Sequence, residues 1–173
     1  MVFQDCKAAL CPIRTVGDQI YESMREHETI SRAEVYERAE EIMVKIGLTD
    51  SRRVLDSYPF ELSGGMNQRV GICITMMQKP ALLLADEPTT ALDVSVQAEI
   101  LTLLKKLNRE SGMAIMLISH DLHVVRKLCS RVAVMQRGKL VEDRPMEDIF
   151  RNPRHPYTQQ LIAAIPGRDR HLF

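Results

Sequence analysis

The chain has 173 residues, enough for one domain with its own core. Lys plus Arg and Asp plus Glu each number 23, so the formal net charge is zero and bulk charge does not mark a nucleic-acid binder. No apolar run reaches membrane-spanning length, and Met1-Val2-Phe3-Gln4-Asp5 lacks the basic start and long apolar core of a signal peptide.

Taken in order, Met1 to Gln4 reads as the end of a strand, and Gln4-Asp5 opens a loop through Leu10 and Pro12. Thr15 to Glu28 reads as a helix, with Val16, Ile20 and Met24 on one face and Thr15 and Asp18 spaced as a capping box. Ser31 to Ile46 is a second helix with its own box, Ser31 and Glu34, an apolar stripe of Val35, Ile42, Met43 and Ile46, and Gly47 as a stop. Its many charges read as a solvated face. Pro59 breaks the chain, and a third helix runs from about Gly64 to Gln78, ended by Pro80. The period then changes. Ala81 to Ala85 reads as a buried strand, and Val94 to Glu110 as a helix burying Ile100, Leu103, Leu104 and Leu107. Ala114 to Ser119 reads as a second buried strand and Leu122 to Cys129 as a short helix. Arg131 to Gln136 and Lys139 to Glu142 form a hairpin across Arg137-Gly138. This alternation of strand and helix implies a parallel α/β core. The tail, Asn152-Pro153-Arg154-His155-Pro156-Tyr157-Thr158, leads into a short helix through Ile165. Cys6, Cys11, Cys73 and Cys129 form no CxxC pair and read as reduced thiols of a cytosolic protein.

Two stretches carry chemistry. Ser63-Gly64-Gly65 opens a helix: Ser63 can cap it, and the two glycines leave backbone N–H groups accessible to a phosphate at the positive end of the dipole. Leu82-Leu83-Leu84-Ala85-Asp86-Glu87-Pro88 is an apolar strand that delivers two carboxylates to its carboxyl end, where ligands sit in open α/β sheets. Alone, the first reads as a plain cap and the second as a turn into solvent. In this order and spacing they resemble the signature and Walker B motifs of the ATP-binding-cassette (ABC) ATPases. Asp86-Glu87-Pro88-Thr89-Thr90-Ala91-Leu92-Asp93 and Ile118-Ser119-His120-Asp121 look like that family's D-loop and switch-histidine region. The tail resembles the end of ATPase subunits of oligopeptide, dipeptide and nickel importers.

The resemblance implies ATP and Mg²⁺ as cofactors and a role for each matching residue. Asp86 and Gln4 would meet the magnesium, Glu87 would orient or deprotonate the attacking water, and His120 would sense the γ-phosphate. Strand neighbours point opposite ways, so Asp86 could face the metal while Glu87 faces the water. Ser63, Gly64 and Gly65 would cap the γ-phosphate held by an opposite subunit, and Asp93 would lie at the subunit interface. Cys6 stands where this branch often has Pro, and Met66 where many ABC proteins have Gln. The implied partners are transmembrane permease subunits and a second ABC ATPase subunit, not nucleic acid. The implied location is peripheral, on the cytoplasmic face of the plasma membrane.

No G-x-x-x-x-G-K-[ST] occurs; the one Gly-Lys pair, Gly138-Lys139, lies in the hairpin. The expectation is an α/β fold: an incomplete P-loop NTPase (ABC ATPase) core with a parallel sheet and an inserted α-helical subdomain. Residues 1–150 would form a truncated nucleotide-binding domain, with about 10–79 as the helical subdomain and 80–150 as part of the RecA-like core. Residues 151–173 would be a peptide-importer-type extension. In the family a further strand lies between those at Ala114–Ser119 and Arg131–Gln136, so unpaired strand edges are expected here. The expected function is the C-terminal part of an ATP-binding, ATP-hydrolysing subunit that energises an importer of peptides or related small solutes. The alternative is a signature-donating partner or a fragment that does not bind ATP by itself.

Overall fold

The computed structural model describes residues 1–2, 4–90 and 92–165. It divides into two compact units, Met1–Ile118 and Ser119–Phe173. The extension foreseen for residues 151–173 is described as far as residue 165.

The first unit begins with helices α1 (Cys6–Ala9), α2 (Val16–Arg25), α3 (Arg32–Lys45) and α4 (Ser51–Asp56), a 3-10 turn at Pro59–Glu61, and α5 (Gly64–Met77). Strand β1 (Leu82–Asp86), helix α6 (Val94–Ser111) and strand β2 (Ala114–Ile118) follow. The caps explain the helix starts. Ser31 accepts from the Glu34 N–H while the Glu34 carboxylate accepts from the Ser31 N–H, the reciprocal box expected. At α2 only half of the expected box forms. Thr15 Oγ1 accepts from the Asp18 N–H, but the Asp18 carboxylate turns to Arg32 on α3. Helix α3 ends at Gly47 and α6 at Gly112, both in the left-handed region (φ 82° and 67°) where glycine carries no steric cost. Ile20, Met43, Leu55, Ile72, Leu83, Ile100 and Leu104 are fully buried and form the centre of this unit.

The strands β1 and β2 are parallel, with Leu82 opposite Ala114 and Asp86 opposite Ile118. Val2 pairs with Ala85 on the other side of β1, its N–H donating to Leu84 O (2.8 Å) and its carbonyl accepting from Asp86 N–H (3.0 Å). The parallel pairing is as expected, but the burial is not. On β1, Leu83 and Ala85 are buried while Leu82 and Leu84 are 50% and 36% exposed. On β2 no residue is buried, and Met116 and Ile118 are 55% and 49% exposed. On β1 only the face carrying Leu83 and Ala85 is buried. An all-apolar strand suggests cover on both faces, and this pair has it on one.

The second unit holds α7 (Leu122–Leu128), the antiparallel strands β3 (Arg131–Gln136) and β4 (Lys139–Pro145), α8 (Met146–Arg151) and α9 (Pro156–Ala163). Arg137 and Gly138 both take positive φ (50° and 75°), the requirement of the tight hairpin turn. Strand β4 runs to Pro145, past the expected Glu142, with a bulge at Val134/Met135. Among the described residues β3 pairs with β4 alone and β2 with β1 alone. Helix α1 falls in the stretch expected as a loop, where the Asp5 side chain caps a single turn by accepting from Ala8 N–H (2.9 Å), and the short helices α4 and α8 had no sequence expectation.

The tail is fastened by one carboxylate. Glu142, with 5% of its side chain exposed, accepts from the N–H groups of Arg154 (3.1 and 3.2 Å) and His155 (3.0 Å) and from Arg144 (3.2 Å). Burial alone would raise its pKa; hydrogen bonds, led by those from the His155 and Arg154 N–H groups, outweigh burial and hold it at about 2.

Candidate nucleotide site

Strand β1 delivers the two carboxylates as expected, but they differ in backbone. Asp86 is the last residue of the strand, half-buried and opposite Ile118. Glu87 lies beyond the strand end with φ 45°, its N–H donating to Ile118 O (2.9 Å). The pleat therefore does not set the direction of Glu87, contrary to the alternation argument; the turn that follows sets it. That turn runs Glu87-Pro88-Thr89-Thr90, closed by Thr90 N–H donating to Glu87 O (3.3 Å). The hydroxyl of Thr90 donates to Glu87 Oε2. Val2 lies opposite Ala85 in parallel, so Gln4, two residues on and exposed, follows toward the strand end that carries Asp86 and Glu87.

Asp93 caps α6. Its carboxylate accepts from Val96 N–H (3.0 Å) and Ser95 Oγ (2.6 Å), and the Ser95 hydroxyl with the Val96 N–H holds its pKa below the usual carboxylate range. Asp93 is exposed. The cap satisfies a helix N–H that would otherwise lack a partner, which the motif alone does not predict.

Ser63 caps α5, accepting from Met66 N–H (3.3 Å), and is exposed, as is Gly64. Neither Gly64 nor Gly65 adopts positive φ. A Cβ on Gly65 would come within 2.6 Å of Val96 Cγ1, so this glycine lets the start of α5 approach the first turn of α6. One on Gly64 would meet Leu92 Cδ2 at 3.5 Å, an ordinary contact. The turn before α5 is fixed from inside by a residue the sequence did not single out. Buried Asn67 donates through Nδ2 to Pro59 O (2.9 Å), Leu62 O (3.2 Å) and Ser63 O (3.2 Å). Three carbonyls set the orientation of its amide.

In the second unit, His120 is exposed and follows β2 by two residues. Ser119 Oγ accepts from Asp121 N–H (3.0 Å), and the Asp121 side chain caps α7 through His123 N–H (2.8 Å). Among the described residues no group of three or more His, Cys, Asp or Glu side chains is placed to hold a metal ion.

The pattern of the family described as ABC transporter matches residues 1–90. The chain belongs to this family. A second pattern, the oligopeptide/dipeptide transporter C-terminal region, matches residues 141–172. A Brucella melitensis protein named as a peptide import ATP-binding protein is 49% identical over 166 residues, 96% of this chain and 49% of its own length. Glutathione import ATP-binding protein GsiA of Escherichia coli K12 is 46% identical over 166 residues, 96% of this chain and 27% of its own. The chain thus spans about half the length, or less, of these relatives. Among solved structures, the dimeric ATP-binding cassette MJ0796 bound to ADP and Pi aligns at TM-score 0.70 and 31% identity, covering 84% of this chain and 61% of that one. The cbiO1 protein of Clostridium perfringens aligns at TM-score 0.72 and 27% identity, covering 86% and 57%. The fold is therefore that of an ABC ATPase cassette, α/β with a parallel sheet and a helical part.

Proposed function

We propose that this chain is part of an ATP-hydrolysing subunit that energises an ABC importer of peptides or related small solutes. The observation that carries the reading is the Asp86-Glu87 pair at the carboxyl end of β1, in a chain whose relatives are named for peptide and glutathione import. In this reading Asp86 would hold Mg²⁺, with Gln4 as a further oxygen ligand, and the ion would supply positive charge to offset that of the phosphates. Glu87 orients or deprotonates the attacking water. His120 meets the γ-phosphate. Ser63, Gly64 and Gly65 offer the start of α5 to a nucleotide held by a second ATPase subunit, and Asp93 lies where the two subunits meet. The other partners are transmembrane permease subunits, which place the chain at the cytoplasmic face of the membrane. No helix of the described residues is long and apolar enough to cross a membrane.

A second reading takes as its observation the exposed Ser63 turn that opens α5. Here the chain donates its signature turn to a complete subunit and does not hydrolyse ATP at its own carboxylates. Mg-ATP titration of the purified chain and of Glu87→Gln separates the two. Binding by both, with hydrolysis lost only in the variant, supports the first reading; absence of binding in both supports the second.

A further inference from the structure

We infer that Thr90 is a positioning residue for Glu87, holding its carboxylate in the orientation from which it meets the attacking water; the inference rests on the role proposed for Glu87 above. A Glu side chain has three rotatable bonds and loses substantial entropy when held in one rotamer. The backbone of Glu87 is already turned away from the strand by its φ of 45°, so the pleat does not aim the side chain. The hydroxyl of Thr90 does, by donating to Oε2 across the same turn that the Thr90 N–H closes onto Glu87 O.

The two neighbouring threonines divide the work. Thr89 is buried; its Oγ1 accepts from Gln97 Nε2 (3.2 Å) and its carbonyl from Leu92 N–H (3.2 Å), which ties the turn to α6. Thr90 is exposed. Thr90→Val is therefore expected to keep the fold. Pro88, at the second position of the turn, limits the backbone further. The arrangement gives a carboxylate anchored at both ends: backbone to β2 through Ile118 O, oxygen to Thr90.

The test compares Thr90→Val, which keeps the shape and loses the donor, with Thr90→Ser, which keeps the donor. In the full chain labelled with carboxyl-¹³C glutamate, the Glu87 resonance is assigned by its absence from Glu87→Gln. At pH 7 the Glu87 carboxyl resonance shifts in Thr90→Val, where the donor to Oε2 is lost, and returns to its wild-type position in Thr90→Ser. All three proteins unfold at the same denaturant concentration. An unchanged Glu87 resonance in Thr90→Val overturns the inference. In Mg-ATP hydrolysis, kcat of Thr90→Val falls about tenfold at unchanged KM and Thr90→Ser restores it. Equal kcat in an active Thr90→Val also overturns the inference. No hydrolysis by any of the proteins, wild type included, overturns instead the catalytic reading of the site, while the carboxyl resonance at fixed pH still decides whether Thr90 holds the carboxylate.

Discussion

Gly65 shows how much a single position can carry. Its hydrogen leaves room for Val96, so a methyl group there displaces the first turn of α6 or of α5. Gly65→Ala is expected to cost about 1–3 kcal/mol, seen as a lower denaturant midpoint, with the loss largely relieved in the double variant with Val96→Ala. Gly64→Ala, facing Leu92 at 3.5 Å, costs less. A glycine pair read only as a phosphate cradle is thus half packing device. Cys73 is the residue-scale counterpart in the core. It is fully buried, and burial pushes its thiol up to about 12. A thiol reagent at pH 8 should label half-buried Cys11 and Cys129 in the native protein and reach Cys73 only after unfolding.

At the scale of elements, the Glu142 carboxylate is the feature with the clearest pH signature. Its folded pKa of about 2 lies below the ordinary 4.5, so its stabilisation is fully present above about 4.5 and is lost as pH falls toward 2. Amide exchange at Arg154 and His155 should accelerate, relative to the rest of the second unit, across that window. Glu142→Gln should show the faster exchange already at pH 7, with about 2 kcal/mol lost from the attachment of α9. This clasp was not legible in the sequence, because a Glu in a strand facing a proline-rich tail has no spacing rule. What was legible followed local rules. The Ser31–Glu34 box, the Gly47 stop and the apolar stripe of α6 lie within a few residues of one another, and each formed. The Thr15–Asp18 box half-formed because Arg32, from another helix, competes for Asp18. Helices of four to six residues, α1, α4 and α8, escaped because they are too short to show a 3.6-residue period. At the site, the motif identified Asp86 and Glu87, but the left-handed backbone at Glu87 and the bonds of Asn67 and Thr90 arise only when the turns close.

Seen as a whole molecule, the β1–β2 pair presents Leu82, Leu84, Met116 and Ile118 on one exposed face. Exposed apolar surface on an open parallel pair favours self-association. Sedimentation of the chain should show concentration-dependent oligomers, and Leu84→Thr with Met116→Thr should reduce them without lowering the unfolding midpoint. The same strand pair ends in a residue where two demands oppose each other. A left-handed backbone suits Asn better than Glu, by up to about 1 kcal/mol. Glu87→Asn should therefore unfold no earlier than the wild type while losing the carboxylate, so that a screen for thermal tolerance alone would drift away from the residue on which hydrolysis is proposed to depend.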